Sequence, residues 1–296
     1  MSAIDTTEPT WLARALAKPG LSRWVELEGN RLHYLEWPGP DSAPAILLVH
    51  GFRAQAHWWD FTAPLLAADF RVIALDLGGM GDSGHRAVYS HRGFADDIAT
   101  VARHLYLRDT ILIGHSFGGI VAVDAAYHFP ELFAHAILID SKVSFADDDH
   151  RTDGPPAHPP KMRSDRAIAL QRFRVVPEQE GIDAAILQHI AQHSLQQIDG
   201  LWTWKFDPLC AAPDLVVAEQ HESDMLRQLT MPVDFIYGEH SAIISREFAR
   251  RVGACIRTGR TPIEIPDARH HILLDQPLAL VATLRALLAR KIAAAR

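Results

Sequence analysis

The chain has 296 residues, 48% of them hydrophobic and 22% charged, the make-up of a soluble globular protein with one large domain carrying an insertion, or two modest domains. A formal net charge of −7 argues against nucleic acid or an anionic membrane as partner, since either needs a basic face. Two cysteines, Cys210 and Cys255, exclude a disulfide framework and fit two free thiols in a reducing compartment.

The first twenty residues include Asp5, Glu8, Arg14 and Lys18 without a continuous apolar run, so no secretory signal is expected there. No segment approaches the about 18 apolar residues that span a bilayer. The expected location is cytoplasmic. Residues 24–28 and 31–37 alternate in character around Gly29-Asn30 and predict a hairpin. After a proline-rich loop at 38–44, the wholly apolar run 45–49 predicts a strand buried on both faces of a parallel sheet. Residues 54–68 read as helix, kinked or restarted at Pro64, and 71–76 as the next strand, followed by a glycine-dense loop at 77–84. An amphipathic helix is expected over 93–107, with Asp96 and Asp97 on its polar side.

Next comes Thr110-Ile111-Leu112-Ile113-Gly114-His115-Ser116-Phe117-Gly118-Gly119, in which strand-forming residues run into Gly-x-Ser-x-Gly and then a helical pattern over 120–129. That order of strand, motif and helix marks Ser116 as a candidate nucleophile on a strained turn. Cβ atoms at Gly114 and Gly118 would collide with the neighbouring strand and helix. The turn also leaves the first helical N–H groups unpaired and directed at whatever binds there. A buried strand is expected over 135–140.

Strand and helix alternate up to this point, which predicts a doubly wound, mostly parallel sheet. The character changes at Lys142. Asp147-Asp148-Asp149, Pro155-Pro156 and Pro159-Pro160 suggest an exposed, mobile segment, and 153–160 is a candidate gate over the site. Spacing over 163–228 is mostly helical. Alternation resumes with a strand at 232–238, a helix from Ser245, a strand at 262–266 and a closing helix over 277–294. The expected organisation is a core built from 1–141 and 232–296, with a helical cap inserted at 142–231.

A serine hydroxyl needs a base to take its proton. The stretch Asp267-Ala268-Arg269-His270-His271, leading to Asp275 and Pro277, offers two histidines between the last strand and last helix. With the serine motif, this makes the chain resemble the α/β-hydrolase fold superfamily over nearly its whole length outside the cap. The resemblance implies about eight strands with helices on both faces and an order of serine, acid, histidine. In the superfamily the base commonly precedes by seven residues a proline that opens the final helix. Counting back from Pro277 gives His270, with Asp275 at a usual glutamate position and Arg269 in place of a usual glycine; His271 is the alternative base. His50-Gly51-Phe52 matches the superfamily's His-Gly-x signature. The Phe52 and Phe117 N–H groups would then form the oxyanion hole, worth about 3 kcal/mol each at the transition state. His50 itself reads as a structural hydrogen-bonder, and the loop Asp76, Gly79, Gly81, Ser83 resembles a structural loop of the superfamily.

The acid departs from the common pattern. Gly238-Glu239-His240-Ser241 places Ser241 where most relatives have aspartate, and a neutral hydroxyl cannot stabilise an imidazolium as a carboxylate does. Asp140, ending the strand expected next to that of Ser116, is the leading replacement: adjacent strands lie about 4.8 Å apart, close enough to reach the same imidazole. Glu239 is the alternative acid, and a capping role for Asp140 is the bland reading.

His189 and His193, spaced i, i+4 on an expected helix, lack adjacent carboxylates or a third ligand in the sequence; a polar helix face is expected, and no metal or organic cofactor. Trp202, Trp204 and Phe206 alternate like an extended piece and would line a substrate pocket or pin the cap to the core. The expected function is hydrolysis of a carboxylic ester or related acyl bond of a small molecule by a monomer or homodimer. A serine nucleophile speaks against the aspartate chemistry of the dehalogenases and epoxide hydrolases that share the fold. Carbon–carbon bond hydrolysis and acyl transfer to an alcohol are the rivals within the triad. A non-catalytic small-ligand receptor, supported by Ser241 alone, is the rival of another class.

Overall fold

The computed structural model describes residues 10–27, 30–147, 161–211 and 220–289. In chain order these form α1 (Trp11–Leu16), β1 (Leu21–Leu27), β2 (Asn30–Trp37), β3 (Ala45–Val49), α2 (Ala63–Leu66), β4 (Arg71–Leu75), α3 (His91–His104), β5 (Thr110–His115), α4 (Phe117–His128) and β6 (Phe133–Ile139). There follow α5 (Arg166–Gln171), α6 (Ala184–His193), β7 (Leu195–Ile198), β8 (Leu201–Trp204), α7 (Glu222–Gln228), β9 (Val233–Gly238), α8 (Arg246–Cys255), β10 (Ile263–Ile265), α9 (Ile272–Asp275) and α10 (Pro277–Leu287). The segment 153–160, with its proposed gate, and the turn residue Gly29 lie outside the described residues.

Eight strands form one sheet in the order β1-β2-β4-β3-β5-β6-β9-β10, parallel from β4 onward and antiparallel at β1 and β2. Central strands are largely apolar on both sides because both faces are covered, β3 at every position. Leu47, Val49, Ile73, Leu75 and Leu112 point into a core shared with α3, α4, α7 and α8. Their neighbours Ile46, Leu48, Val72, Ala74, Ile111 and Ile113 point into the opposite core, shared with α2, α9 and α10. This is the α/β-hydrolase architecture.

Two expectations are corrected. The helix expected over 54–68 is broken into a 3₁₀ turn, Ala56–Trp59, and the single turn α2. Trp58, Trp59 and Phe61 are all buried there, so packing of three large rings decides the path rather than helical periodicity. Between β6 and β9 the chain is less helical than its spacing suggests: α5 and α6 are followed by the antiparallel hairpin β7–β8. Ile186 and Ile190 of α6 join the core on the α10 side, whereas Met225 and Leu226 of α7 join the other. Among the described residues no helix is long and apolar enough to cross a membrane.

Candidate active site

Ser116 stands between β5 and α4 at φ 54°, ψ −121°, a backbone region that L residues rarely adopt. The strain is fixed by contacts on both sides. A Cβ on Gly114 would lie 2.2 Å from the Gly118 carbonyl oxygen, and one on Gly118 would lie 2.4 Å from that of His50. Glycine is therefore required at both positions for strand and helix to meet at this angle. The Ser116 N–H donates to the Ile139 carbonyl at 2.8 Å, tying the turn to the end of β6.

That end of β6 delivers Asp140, itself at φ 48° and fully buried. One carboxylate oxygen, Oδ1, accepts from His270 Nδ1 at 2.7 Å and from the Ser241 hydroxyl at 2.6 Å. The other, Oδ2, accepts from the Gly238 N–H at 2.9 Å. The opposite nitrogen of His270, Nε2, lies 3.0 Å from Ser116 Oγ. Ser116, His270 and Asp140 thus form one hydrogen-bonded line at the C-terminal ends of the strands, the usual position for sites in open α/β sheets. With Nδ1–H donated to Asp140, Nε2 is left with a lone pair facing the serine hydroxyl.

The other expected residues fall differently. His271 turns its Nε2 to the Pro177 carbonyl at 3.1 Å; burial, and then the adjacent His270, depress its pKa to about 3. Glu239 is exposed and accepts from the Asp267 N–H at 3.0 Å, away from the imidazole. Phe52 and Phe117 sit together, ring centroids 5.5 Å apart, and neither of their N–H groups donates to another described residue. Phe206 comes beside them, with the Arg53 guanidinium 4.6 Å from its ring and 5.2 Å from that of Phe52. Trp202 and Trp204 stay in the hairpin, Trp202 under Arg166 and Trp204 against Phe173.

Three further residues of the quoted motifs support the line without joining it. His115 donates from Nε2 to the His270 carbonyl at 2.9 Å, holding the histidine loop against β5. Burial, then repulsion from His270 and His271, keeps its pKa well below normal and the ring neutral. Asp275 accepts from the Arg269 N–H at 2.7 Å and so closes the same loop. His50 donates from Nδ1 to the Gly51 carbonyl and accepts at Nε2 from Leu77, a structural role under the Phe52 turn. A cleft of about 260 Å³ opens at Pro177, Glu178, His240, Ala242, Arg269 and His270.

The chain belongs to the alpha/beta hydrolase family, whose model matches residues 46–284. It is 24% identical over 268 residues to an uncharacterised hydrolase, YugF, of Bacillus subtilis, covering 86% of this chain and 95% of that protein. Epoxide hydrolase 3 of Xenopus tropicalis is 23% identical over 270 residues, 84% of this chain and 72% of the relative. Where identity reaches 36–40%, the chain spans only 19–40% of the curated relatives. Among solved structures, a thioesterase domain from the curacin biosynthetic pathway superposes with a TM-score of 0.76 at 23% identity, covering 90% of this chain and 99% of the domain.

Proposed function

We propose that the protein is a serine hydrolase that cleaves a carboxylic ester or related acyl bond through an acyl-enzyme on Ser116. The observation that carries this reading is the unbroken line from Ser116 Oγ to His270 Nε2 at 3.0 Å and from His270 Nδ1 to Asp140 Oδ1 at 2.7 Å. His270 takes the hydroxyl proton as Oγ attacks the acyl carbon, and the carbonyl electrons move onto oxygen. The Phe52 and Phe117 N–H groups receive that oxyanion. Collapse of the intermediate expels the leaving group, which takes the proton from His270 Nε2. Water then attacks the acyl-enzyme with His270 again as base, releasing the acid and restoring the serine.

Asp140 orients the ring and balances the imidazolium charge in each half-reaction. In this reading it supplies the carboxylate that Ser241 lacks, which speaks against a non-catalytic receptor. Although an epoxide hydrolase is among the relatives, a hydroxyl at position 116 favours acyl chemistry over attack by a carboxylate. Residues 142–231 act in this reading as the cap that shapes the acyl pocket, and Phe206 is the aromatic residue of that segment set against the Phe52 turn.

The test is incubation with a panel of p-nitrophenyl acyl esters and acyl thioesters, with rapid quench and intact mass. Wild type should release chromophore and carry a transient acyl adduct on Ser116, and Ser116→Ala should do neither. Turnover by Ser116→Ala at the wild-type rate would remove the reading.

A further inference from the structure

Outside the catalytic line, the fold gathers three imidazoles and one carboxylate that the reaction does not use. His57 and Asp60 lie on and just after the 3₁₀ turn that follows the Phe52 loop, and His189 and His193 occupy one face of α6. The four come from segments about 130 residues apart in sequence: Asp60 and His189 are separated by 129 positions. One potential ligand atom from each lies within 4.8 Å of all the others.

We propose that His57, Asp60, His189 and His193 form a binding site for a divalent transition-metal ion of the zinc type, tying α6 to the segment that follows the Phe52 turn. The donor set is three imidazole nitrogens and one carboxylate oxygen, a combination suited to tetrahedral zinc and poorly matched to magnesium or calcium, which prefer oxygen. With metal–ligand bonds of about 2.0–2.1 Å, neighbouring donors of a tetrahedral site stand about 3.4 Å apart. The present separations are of that order. Asp60 Oδ2 is 2.8 Å from His57 Nδ1 and 2.7 Å from His189 Nε2, and all four ligand atoms lie within 4.8 Å of one another. Small side-chain rotations therefore suffice to form the site.

An independent observation points to a cation. Asp60 is nine-tenths buried, with a side-chain exposure of 9%, yet its Oδ1 has no hydrogen-bond partner among the described residues. A buried carboxylate oxygen without a donor is unfavourable in a merely hydrogen-bonded cluster. A metal ion beside it supplies the missing charge. His193 makes no hydrogen bond to another described residue; its ring stacks on that of His57 with centroids 3.7 Å apart and lies 4.5 Å from that of His189. The neighbouring cation Lys205 is already paired with Asp82 at 2.8 Å. When the metal binds, the protons that His57 Nδ1 and His189 Nε2 now share with Asp60 move to the opposite nitrogen of each ring, so neutral imidazoles remain the ligands.

The test uses the full chain stripped with a chelator and dialysed, then titrated with zinc chloride and, separately, cobalt chloride. One equivalent of zinc should bind more tightly than about 1 μM, and cobalt should give the intense visible bands of a tetrahedral site. His193→Gln, which removes no hydrogen bond, should weaken zinc binding by more than about 100-fold and abolish those bands. Asp60→Asn should do the same, and His91→Gln and His271→Gln, at other histidine clusters, should leave both readouts intact. Amide exchange in α6 should slow on adding zinc to wild type but not to His193→Gln. Absence of a tight equivalent in wild type, or zinc and cobalt signatures unchanged in His193→Gln, would overturn the proposal.

Discussion

Ser241 stands where relatives of this fold commonly carry the acid, and its hydroxyl now donates to the carboxylate that has taken over that position, Asp140. In the proposed triad the acid lies one strand inward, at the end of β6 rather than of β9, and the Ser241 hydroxyl meets the same Asp140 oxygen that faces His270 Nδ1. Ser241 thus orients Asp140, and Ser241→Ala should lower kcat/KM by about tenfold, the value of one hydrogen bond to a charged group, with little change in KM. The stronger test exchanges the two positions. Asp140→Asn alone should be nearly inactive, whereas Asp140→Asn combined with Ser241→Asp should recover a measurable part of the lost rate, because a carboxylate returns to the imidazole from β9. If the double variant is no faster than Asp140→Asn in steady-state assays, the two positions are not interchangeable.

At the scale of elements, the helices α3, α4 and α7 are joined by charge. His91 at the start of α3 lies 3.5 Å from Asp124 of α4 and 3.6 Å from Glu222 at the start of α7, directly beneath the Phe117 ring. Burial alone would depress the His91 pKa, but the nearby carboxylates of Asp124 and Glu222 outweigh it and raise the pKa to about 9. The folded state therefore holds this proton more tightly than the unfolded chain, whose histidine titrates near 6.5. The stabilisation is fully present below about pH 6.5 and disappears as pH rises through about 9. His91→Gln should consequently cost about 1–3 kcal/mol in urea unfolding near pH 6 and much less near pH 10. An equal cost at both pH values would show that the ring acts by packing alone.

The same scale separates what was readable in the residues from what was not. Strands β3 and β5 were legible because a strand covered on both faces carries an unbroken apolar run, and each runs into a glycine-containing turn. Of the hairpin β7–β8, the second strand showed in the alternation of Trp202 and Trp204, but the first did not, because Gln196 and Gln197 break the apolar alternation. Its signal was the Asp199-Gly200 pair, both at positive φ (48° and 79°), the residues a tight hairpin turn requires. The 3₁₀ turn at 56–59 was hidden by rings whose packing partners lie far away in the chain. The histidine pair on α6 looked bare for a related reason: its carboxylate and third imidazole come from the other side of β4, β5 and β6 in sequence. Only folding brings them together.

For the molecule as a whole, the sheet order explains why the site forms at all. Placing β5, β6 and β9 side by side sets Ser116, Asp140 and the Gly238–Ser241 turn at adjacent strand ends, and β10 returns His270 across them. The serine and histidine were legible because their motifs are local. The acid required knowing that β6 neighbours β5, a fact of topology. The family match and the eight-stranded sheet fix the hydrolase class, while the acyl specificity and the cap over 142–231 belong to the proposal.

The central claim is that Ser116 is activated through His270 by a carboxylate on β6. It is tested most directly by the rate at which a fluorophosphonate labels wild type, Ser116→Ala, Asp140→Asn and Glu239→Gln, read by intact mass. Wild type and Glu239→Gln should label rapidly and alike, Ser116→Ala should not label, and Asp140→Asn should be slower by about 10³–10⁴-fold, as expected for losing the carboxylate of a serine triad. Labelling of Asp140→Asn at the wild-type rate, or a wild type that folds but does not label, would contradict it.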